Sequence, residues 1–332
     1  MIDRAFPLID LHRHLDGSVR LATILDLARQ HNIPLPASDL EGLRPHVQVT
    51  DPQPGVMAFI AKFKWMIGVL ADARACRRIA YENVEDAQRE GIDHIELRFS
   101  PWFMAEPHGL NPFEVVEAVV DGVEAARRDL AISASLIGTI SRTYGPEIAW
   151  KELQALLSCA GHLVAVDLAG DEANWPGELF VEHFRHARDA GLHVTVHAGE
   201  ISGPKSIWQA IRDLGATRIG HALRAVDDPT LLDHMRREQI AVESNLTSNV
   251  QTSCVPDYPS HPLRRFLDAG LLATINSDDP GISNIDLSHE YLIAAPAAGL
   301  TRQQIHQAQR NSLSVAFLSP EAKETLRQRN AS

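Results

Sequence analysis

The stretch Pro7-Leu8-Ile9-Asp10-Leu11-His12-Arg13-His14-Leu15 sets the reading of the whole chain. Ile9, Leu11 and Leu15 share one parity, and Asp10, His12 and His14 share the other. Side chains alternate across a strand, so this spacing predicts a strand over 7–14 whose polar face carries two imidazoles and a carboxylate. No glycine-rich turn follows it, which argues against an open dinucleotide-binding sheet.

Working outward, β-like runs recur at 93–99, 133–140, 163–168, 192–197, 217–221, 240–245 and 271–276, each followed by a helical stretch. Eight strands alternating with helices, with no low-complexity linker between them, predict an α/β protein with a parallel sheet, and the count favours closure into a (β/α)8 TIM barrel. Residues 1–332 then form one domain, and each strand of a barrel buries both faces, so the histidine face of 7–14 points into the lumen. The gap at 18–92 is too long for one helix and reads as a helical insertion after the first strand. It contains helices near 20–31, 55–71 and 72–90, separated by turn signals at Pro34, Pro36, Pro45, Pro52 and Pro54-Gly55. An insertion there overlies the C-terminal mouth of a barrel, where active sites lie. Phe59, Phe63 and Met66 at helical spacing therefore mark either a lid or ordinary core packing.

Composition excludes several classes. A net charge of −12 argues against nucleic-acid binding, which needs a concentrated basic surface. The pairs Arg77-Arg78, Arg127-Arg128, Arg236-Arg237 and Arg264-Arg265 have acidic neighbours and read as solvated helix faces. Cys76, Cys159 and Cys254 form neither a metal-finger spacing nor a disulfide framework. With no apolar signal core after Met1 and no membrane-spanning stretch, the expected location is the cytoplasm and no membrane partner is expected.

The polar parity of 7–14 returns in Thr195 and His197, and again in Thr274, Asn276 and Asp278, while His221 ends the strand Ile219-Gly220-His221. Each last polar residue precedes a loop, so four strands deliver histidines or an aspartate to one rim. His12, His14, His197 and Asp278 together suit a mononuclear divalent metal with room for a water. Glu200, three residues beyond His197, is placed as a proton donor or acceptor rather than a ligand. Asp279 has the opposite parity to Asp278, and two carboxylates so close perturb each other's titration. Glu96, Arg98 and Glu243 fall mid-strand and read as a structural ion-pair network inside the barrel.

His12-Arg13-His14-Leu15-Asp16-Gly17, Asp167-Leu168-Ala169-Gly170-Asp171-Glu172, His197-Ala198-Gly199-Glu200, Arg218-Ile219-Gly220-His221, Leu246-Thr247-Ser248-Asn249 and Asn276-Ser277-Asp278-Asp279-Pro280 together closely resemble the adenosine deaminase family of the amidohydrolase superfamily, its bacterial members above all. The likeness runs through nearly the whole chain. It implies hydrolysis of adenosine or 2′-deoxyadenosine to inosine or 2′-deoxyinosine and ammonia, with one zinc ion per chain held by His12, His14, His197 and Asp278. By the same resemblance His221 orients and activates the water, and Glu200 protonates the purine N1. Asp279 bonds N7, the Gly170 N–H approaches N3, and Asp16 with His14 contacts the ribose 5′-hydroxyl. The partner implied is a small purine nucleoside. Two positions depart from the family pattern: Ala222 stands where Gly is more usual, and Asn245 where Cys is.

Other readings divide on particular residues. The rival within the superfamily is a deaminase of adenine, aminofutalosine or a modified adenosine; those of adenine and aminofutalosine tend to carry Glu at the position of Asp16, and the shorter carboxylate leaves room for a ribose. A binuclear amidohydrolase needs a bridging lysine at the end of the fourth strand, where this chain has Leu168-Ala169-Gly170. A silent purine-binding barrel predicts loss of a ligand or of the proton donor, and none is lost.

Overall fold

The structure, a computed structural model, describes residues 1–330. Eight parallel strands follow one another in sequential order: β1 (Ile9–His14), β2 (His94–Phe99), β3 (Ser133–Ser141), β4 (Leu163–Ala169), β5 (His193–Ala198), β6 (Arg218–His221), β7 (Ala241–Ser244) and β8 (Ala273–Ile275). Every strand expected from the sequence is present, with ends within two residues of the reading. The first and last strands meet through a parallel bridge between Arg13 and Asp278. The His14 N–H donates to the Asp278 carbonyl at 2.8 Å, and the Asp278 N–H to the His12 carbonyl at 2.8 Å. This seam makes the sheet a nearly closed (β/α)8 barrel. The Leu11 N–H also crosses it, donating to Asn276 Oδ1 at 3.1 Å.

Aliphatic residues on the outer faces, among them Leu97, Val166, Leu168, Val194, Val196, Ile219 and Val242, are buried under the helices. The helix Ala73–Arg89 shows how the sequence achieves this: Cys76, Ile79, Ala80, Val84 and Ala87 recur at helical spacing and are buried, and Asp72 caps its start by accepting the Ala75 N–H at 2.8 Å. The paired arginines lie on helices as expected; Arg236 and Arg237, for instance, both hold Asp233. Among the described residues no helix is long and apolar enough to cross a membrane.

One face assignment is corrected. Pairing of β1 with β2 runs Ile9↔His94, Asp10↔Ile95, then Arg13↔Leu97, so β1 carries one extra residue and the alternation slips. Asp10 therefore leaves the face of His12 and His14. It lies beside Arg13, accepting from its Nε at 3.1 Å, and Arg13 in turn reaches Glu90 at the end of the Ala73–Arg89 helix. Ile9 and Leu11 pack instead with Leu313, Ala316 and Leu326.

The 18–92 segment holds helices at Leu21–His31 and Ala73–Arg89 as expected, and a further helix at Leu40–Val47. Pro45, read as a turn signal, lies inside that last helix. The continuous helix expected over 55–71 is broken: Val56–Ile60 and Lys64–Ile67 are helical, joined by a tighter turn at Ala61–Phe63.

Candidate metal centre and active site

β1 ends in His12 and His14, β5 carries His197, β6 ends in His221, and Asp278 follows β8, so all five reach the C-terminal rim. His221 and Asp278 adopt left-handed backbone, φ 64° and 61°, which turns each side chain at the point where the chain leaves the sheet. His12 Nε2 lies 3.1 Å and His14 Nε2 3.5 Å from Asp278 Oδ1. His14 Nε2 lies 3.2 Å from His197 Nε2. Ligand atoms of His12, His197, His221 and Asp278 sit within 4.8 Å of one another, and His14, Asp278 and Asp279 form an overlapping group. His12, His197 and Asp278 are therefore in one cluster together with His221, and His14 joins it through Asp278 and His197.

The far sides of two rings decide their protonation. His12 Nδ1 lies 2.6 Å from Glu243 Oε2, and His197 Nδ1 lies 3.0 Å from Asp167 Oδ1. A carboxylate only accepts, so each Nδ1 carries a proton and each Nε2 is the ring nitrogen turned to the cluster. The His12 Nε2 is buried with no hydrogen-bond partner. Burial holds His14, His197 and His221 below the ordinary imidazole range, which favours their neutral form. Converging lone pairs and one carboxylate, with a buried orphan among them, fit a divalent cation.

The acidic groups around the cluster are unequal. Burial first, then Asp278 and Glu172, pushes the Glu200 carboxyl well above the carboxylate range, which favours its protonated form. Its Oε1 lies 3.6 Å from His221 Nδ1 and accepts from Cys254 Sγ at 3.9 Å. Burial, then Asp278 and Asp16, likewise raises Asp279. Burial lifts Asp16 to about 7. Gly17 permits their approach: a Cβ there would fall 1.8 Å from Asp279 Oδ1. His14, Asp16, Gly170, His197, Glu200, His221, Asp278 and Asp279 all line one cavity of about 280 Å³. Phe59 and Phe63 line it too, whereas Met66 is fully buried away from it in the core.

Three anchors were not assigned such roles from the sequence. Glu243 and Asp167 fix the ring tautomers, and Asn249 Nδ2 donates to His221 Nδ1 at 2.8 Å while His261 Nε2 meets Asn249 Oδ1 at 3.0 Å. Asp167 has the lumen parity of β4, the one signal that would have found it. Glu243 does belong to an ion-pair network with Arg98, Arg218 and Glu96, as expected, but that network also touches a candidate ligand.

The two departures from the family pattern sit together. Asn245 Nδ2 lies 3.4 Å from both nitrogens of His221. Ala222 has φ 52°, a conformation that strains a side chain bearing Cβ. Ala222→Gly is expected to stabilise the protein by about 0.5–1 kcal/mol, the relief exceeding the added freedom of the unfolded chain. Thermal unfolding that shows a lower Tm for this variant would contradict that account.

A parallel barrel that gathers imidazoles, a carboxylate and a protonated acid in one rim cavity is built as a metal-assisted hydrolase. The adenosine deaminase family model matches residues 7–331. An adenosine deaminase of Edwardsiella ictaluri is 57% identical over 327 residues, covering 98% of each chain. Among solved structures, an adenine deaminase from Arthrobacter aurescens superposes with a TM-score of 0.88 at 26% identity, over 98% of each chain. An amidohydrolase from Burkholderia ambifaria with bound Zn gives a TM-score of 0.88 at 26% identity, over 99% of this chain and 90% of that one. The chain belongs to the adenosine deaminase family and is an enzyme, a hydrolase, of that family.

Proposed function

We propose that the protein deaminates adenosine and 2′-deoxyadenosine by hydrolysis, with one zinc ion per chain held by His12, His14, His197 and Asp278. The observation that carries this reading is the convergence of these side chains on Asp278, with His14, His197, Asp278 and Glu200 lining one cavity and His12 buried behind it. When bound, zinc would supply the Lewis acidity that makes water a competent nucleophile at neutral pH.

The chain's own residues do the rest. Glu200, holding its proton, donates to N1 of the purine and draws electron density from C6, where water adds and from which ammonia departs. His221 accepts the Asn249 amide N–H at Nδ1, which leaves its Nε2 proton free to orient the water. The backbone N–H of Gly170 faces N3, and Asp279, its carboxyl protonated, donates to N7. Asp16 and His14 take the ribose 5′-hydroxyl. Groups fixed in a buried cavity stabilise the developing charge without having to reorganise.

The whole chain, 1–332, works as one deaminase domain in this reading, and the 18–92 insertion acts as a lid. Phe59 and Phe63 on the cavity wall support that role. So do the bonds from the Val49 N–H to the Ile282 carbonyl, 2.8 Å, and from the Gln53 N–H to the Gln251 carbonyl, 2.6 Å. Three free cysteines suit a cytoplasmic enzyme, and the acidic cavity suits neither nucleic acid nor an anionic membrane.

The competing substrate is adenine, because a solved relative bears that name. A carboxylate at Asp16 that requires a ribose hydroxyl makes the nucleoside the better substrate. Purified enzyme should show kcat/KM at least ~100-fold higher for adenosine than for adenine, followed by loss of adenine-type ultraviolet absorbance. A ratio in the other direction transfers the assignment to the free base.

A further inference from the structure

Glu172 and Arg142 lie outside the cavity wall, and both are buried, at 4% and 1% exposure. They close on the same piece of backbone from opposite sides. Arg142 Nη2 donates to the His197 carbonyl at 2.8 Å, and also to the Leu168 carbonyl at 3.3 Å. Glu172 Oε1 accepts the Gly199 N–H at 2.6 Å, and its Oε2 accepts the Ile201 N–H at 2.9 Å and the Ser202 N–H at 3.1 Å. The Ser206 hydroxyl donates to Oε1 as well. The cation takes the carbonyl at the start of the loop, and the anion takes the amides on both sides of Glu200.

Besides that carboxylate, the loop is held at its start by the Arg224 N–H, which donates to the Gly199 carbonyl at 3.0 Å. Residues 199–203 are neither helix nor strand, and Ile201 is 38% exposed. Gly199, at φ 71°, makes the turn; a Cβ there would strike Ile207 Cδ1 at 2.4 Å. Beyond Gly199 the loop owes its course to a tight turn and to one side chain that collects three N–H groups and a hydroxyl. Proton transfer requires donor and acceptor in register, and a displacement of about 1 Å costs on the order of 100-fold in rate.

We infer that Glu172, with Arg142 opposing it, is a positioning residue for the deamination, fixing the backbone on either side of Glu200 so that its carboxyl meets the purine. This rests on the proton-donor reading of Glu200. The two stand or fall separately in one double-mutant cycle.

Glu172→Gln keeps the side-chain volume but turns an amide N–H₂ toward backbone N–H donors. It should lower kcat by about 10–100-fold with KM for adenosine within about threefold, because the cavity walls are untouched. Bound metal should stay at the wild-type ratio. Glu172→Asp, which keeps the acceptors on a shorter stem, should recover part of the loss, and it reads the same split if the glutamine variant fails to fold. In a Glu200→Gln background, Glu172→Gln should reduce kcat by less than about twofold further, since the group it places is already disabled. Full activity in Glu200→Gln sinks the donor reading. An inactive Glu200→Gln beside a wild-type kcat in Glu172→Gln, or losses that multiply in the double variant, overturns the positioning role.

Discussion

Glu200→Gln is expected to cut kcat for adenosine by about a thousandfold while leaving the bound metal and the fold unchanged. The substitution preserves shape and a hydrogen-bond donor, and removes only the transferable proton. In the native protein that proton is held tightly: burial, then the negative charges of Asp278 and Glu172, raises the Glu200 carboxyl well above the ordinary range. The sign of the pH dependence follows. A general acid is active while protonated, so kcat should hold at neutral pH and fall as pH rises through the pKa of Glu200. The amide has no proton to lose in that range, so the alkaline limb should vanish along with most of the turnover. Rate against pH for both proteins, with metal content by atomic absorption, makes the check. A glutamine variant with native turnover would remove Glu200 from the chemistry.

How much of this arrangement was legible beforehand depends on the range of the interaction involved. The strands were readable because a buried strand imposes a local pattern, aliphatic on one parity and polar on the other, which survives in Thr195/His197 and in Ile219-Gly220-His221. His12, His14, His197 and Asp278 were readable as a set because each polar parity ends at a loop. Asp10 was misplaced because one extra residue in β1 reverses the alternation, and a bulge is set by the neighbouring strand, not by the local sequence. Pro45 is a turn signal in the sequence, yet a short helix accommodates it, its missing N–H costing one bond in a helix already anchored by Asp39 accepting from Gly42 at 2.8 Å. The helix over 55–71 tightens at Ala61–Phe63, and Phe59 and Phe63 face the cavity while Met66 faces the core. The anchors of the site were the least legible. Glu243 lies 231 residues from His12, and Asn249 lies beyond His221 on a helix whose local pattern says nothing of an imidazole partner.

Those long-range anchors make the second large effect. Glu243→Gln is expected to destabilise the fold by about 3 kcal/mol or more and to weaken metal binding by about 10–100-fold. The native carboxylate is fully buried and accepts from four donors: His12 Nδ1 at 2.6 Å, Arg98 Nη2 at 2.8 Å, Thr195 Oγ1 at 2.9 Å and Arg218 Nε at 2.6 Å. A glutamine accepts at one atom and donates at the other, so at least one of these donors faces another donor with no water to intervene. Arg98 and Arg218 keep Asp167 and Glu96 respectively, which limits the loss without cancelling it. His12 has no such reserve. Deprived of its carboxylate, its ring is free to exchange tautomers or rotate, and the lone pair aimed at the cluster is no longer fixed. Thr195→Val removes a neutral donor from the same carboxylate and should cost much less, about 1 kcal/mol. The network also sets the acid limit of stability. Burial pushes Glu96 up, but the Arg218 guanidinium and His94 overcome it and bring it down to about 2. A carboxylate depressed in the folded state stabilises above its unfolded pKa, near 4.3, and that contribution disappears as pH falls from there toward about 2. Calorimetry between pH 7 and pH 3, with chelator competition for the metal, separates the two effects. Native Tm together with native metal affinity in Glu243→Gln would mean that the ion-pair network neither braces the barrel nor aims His12.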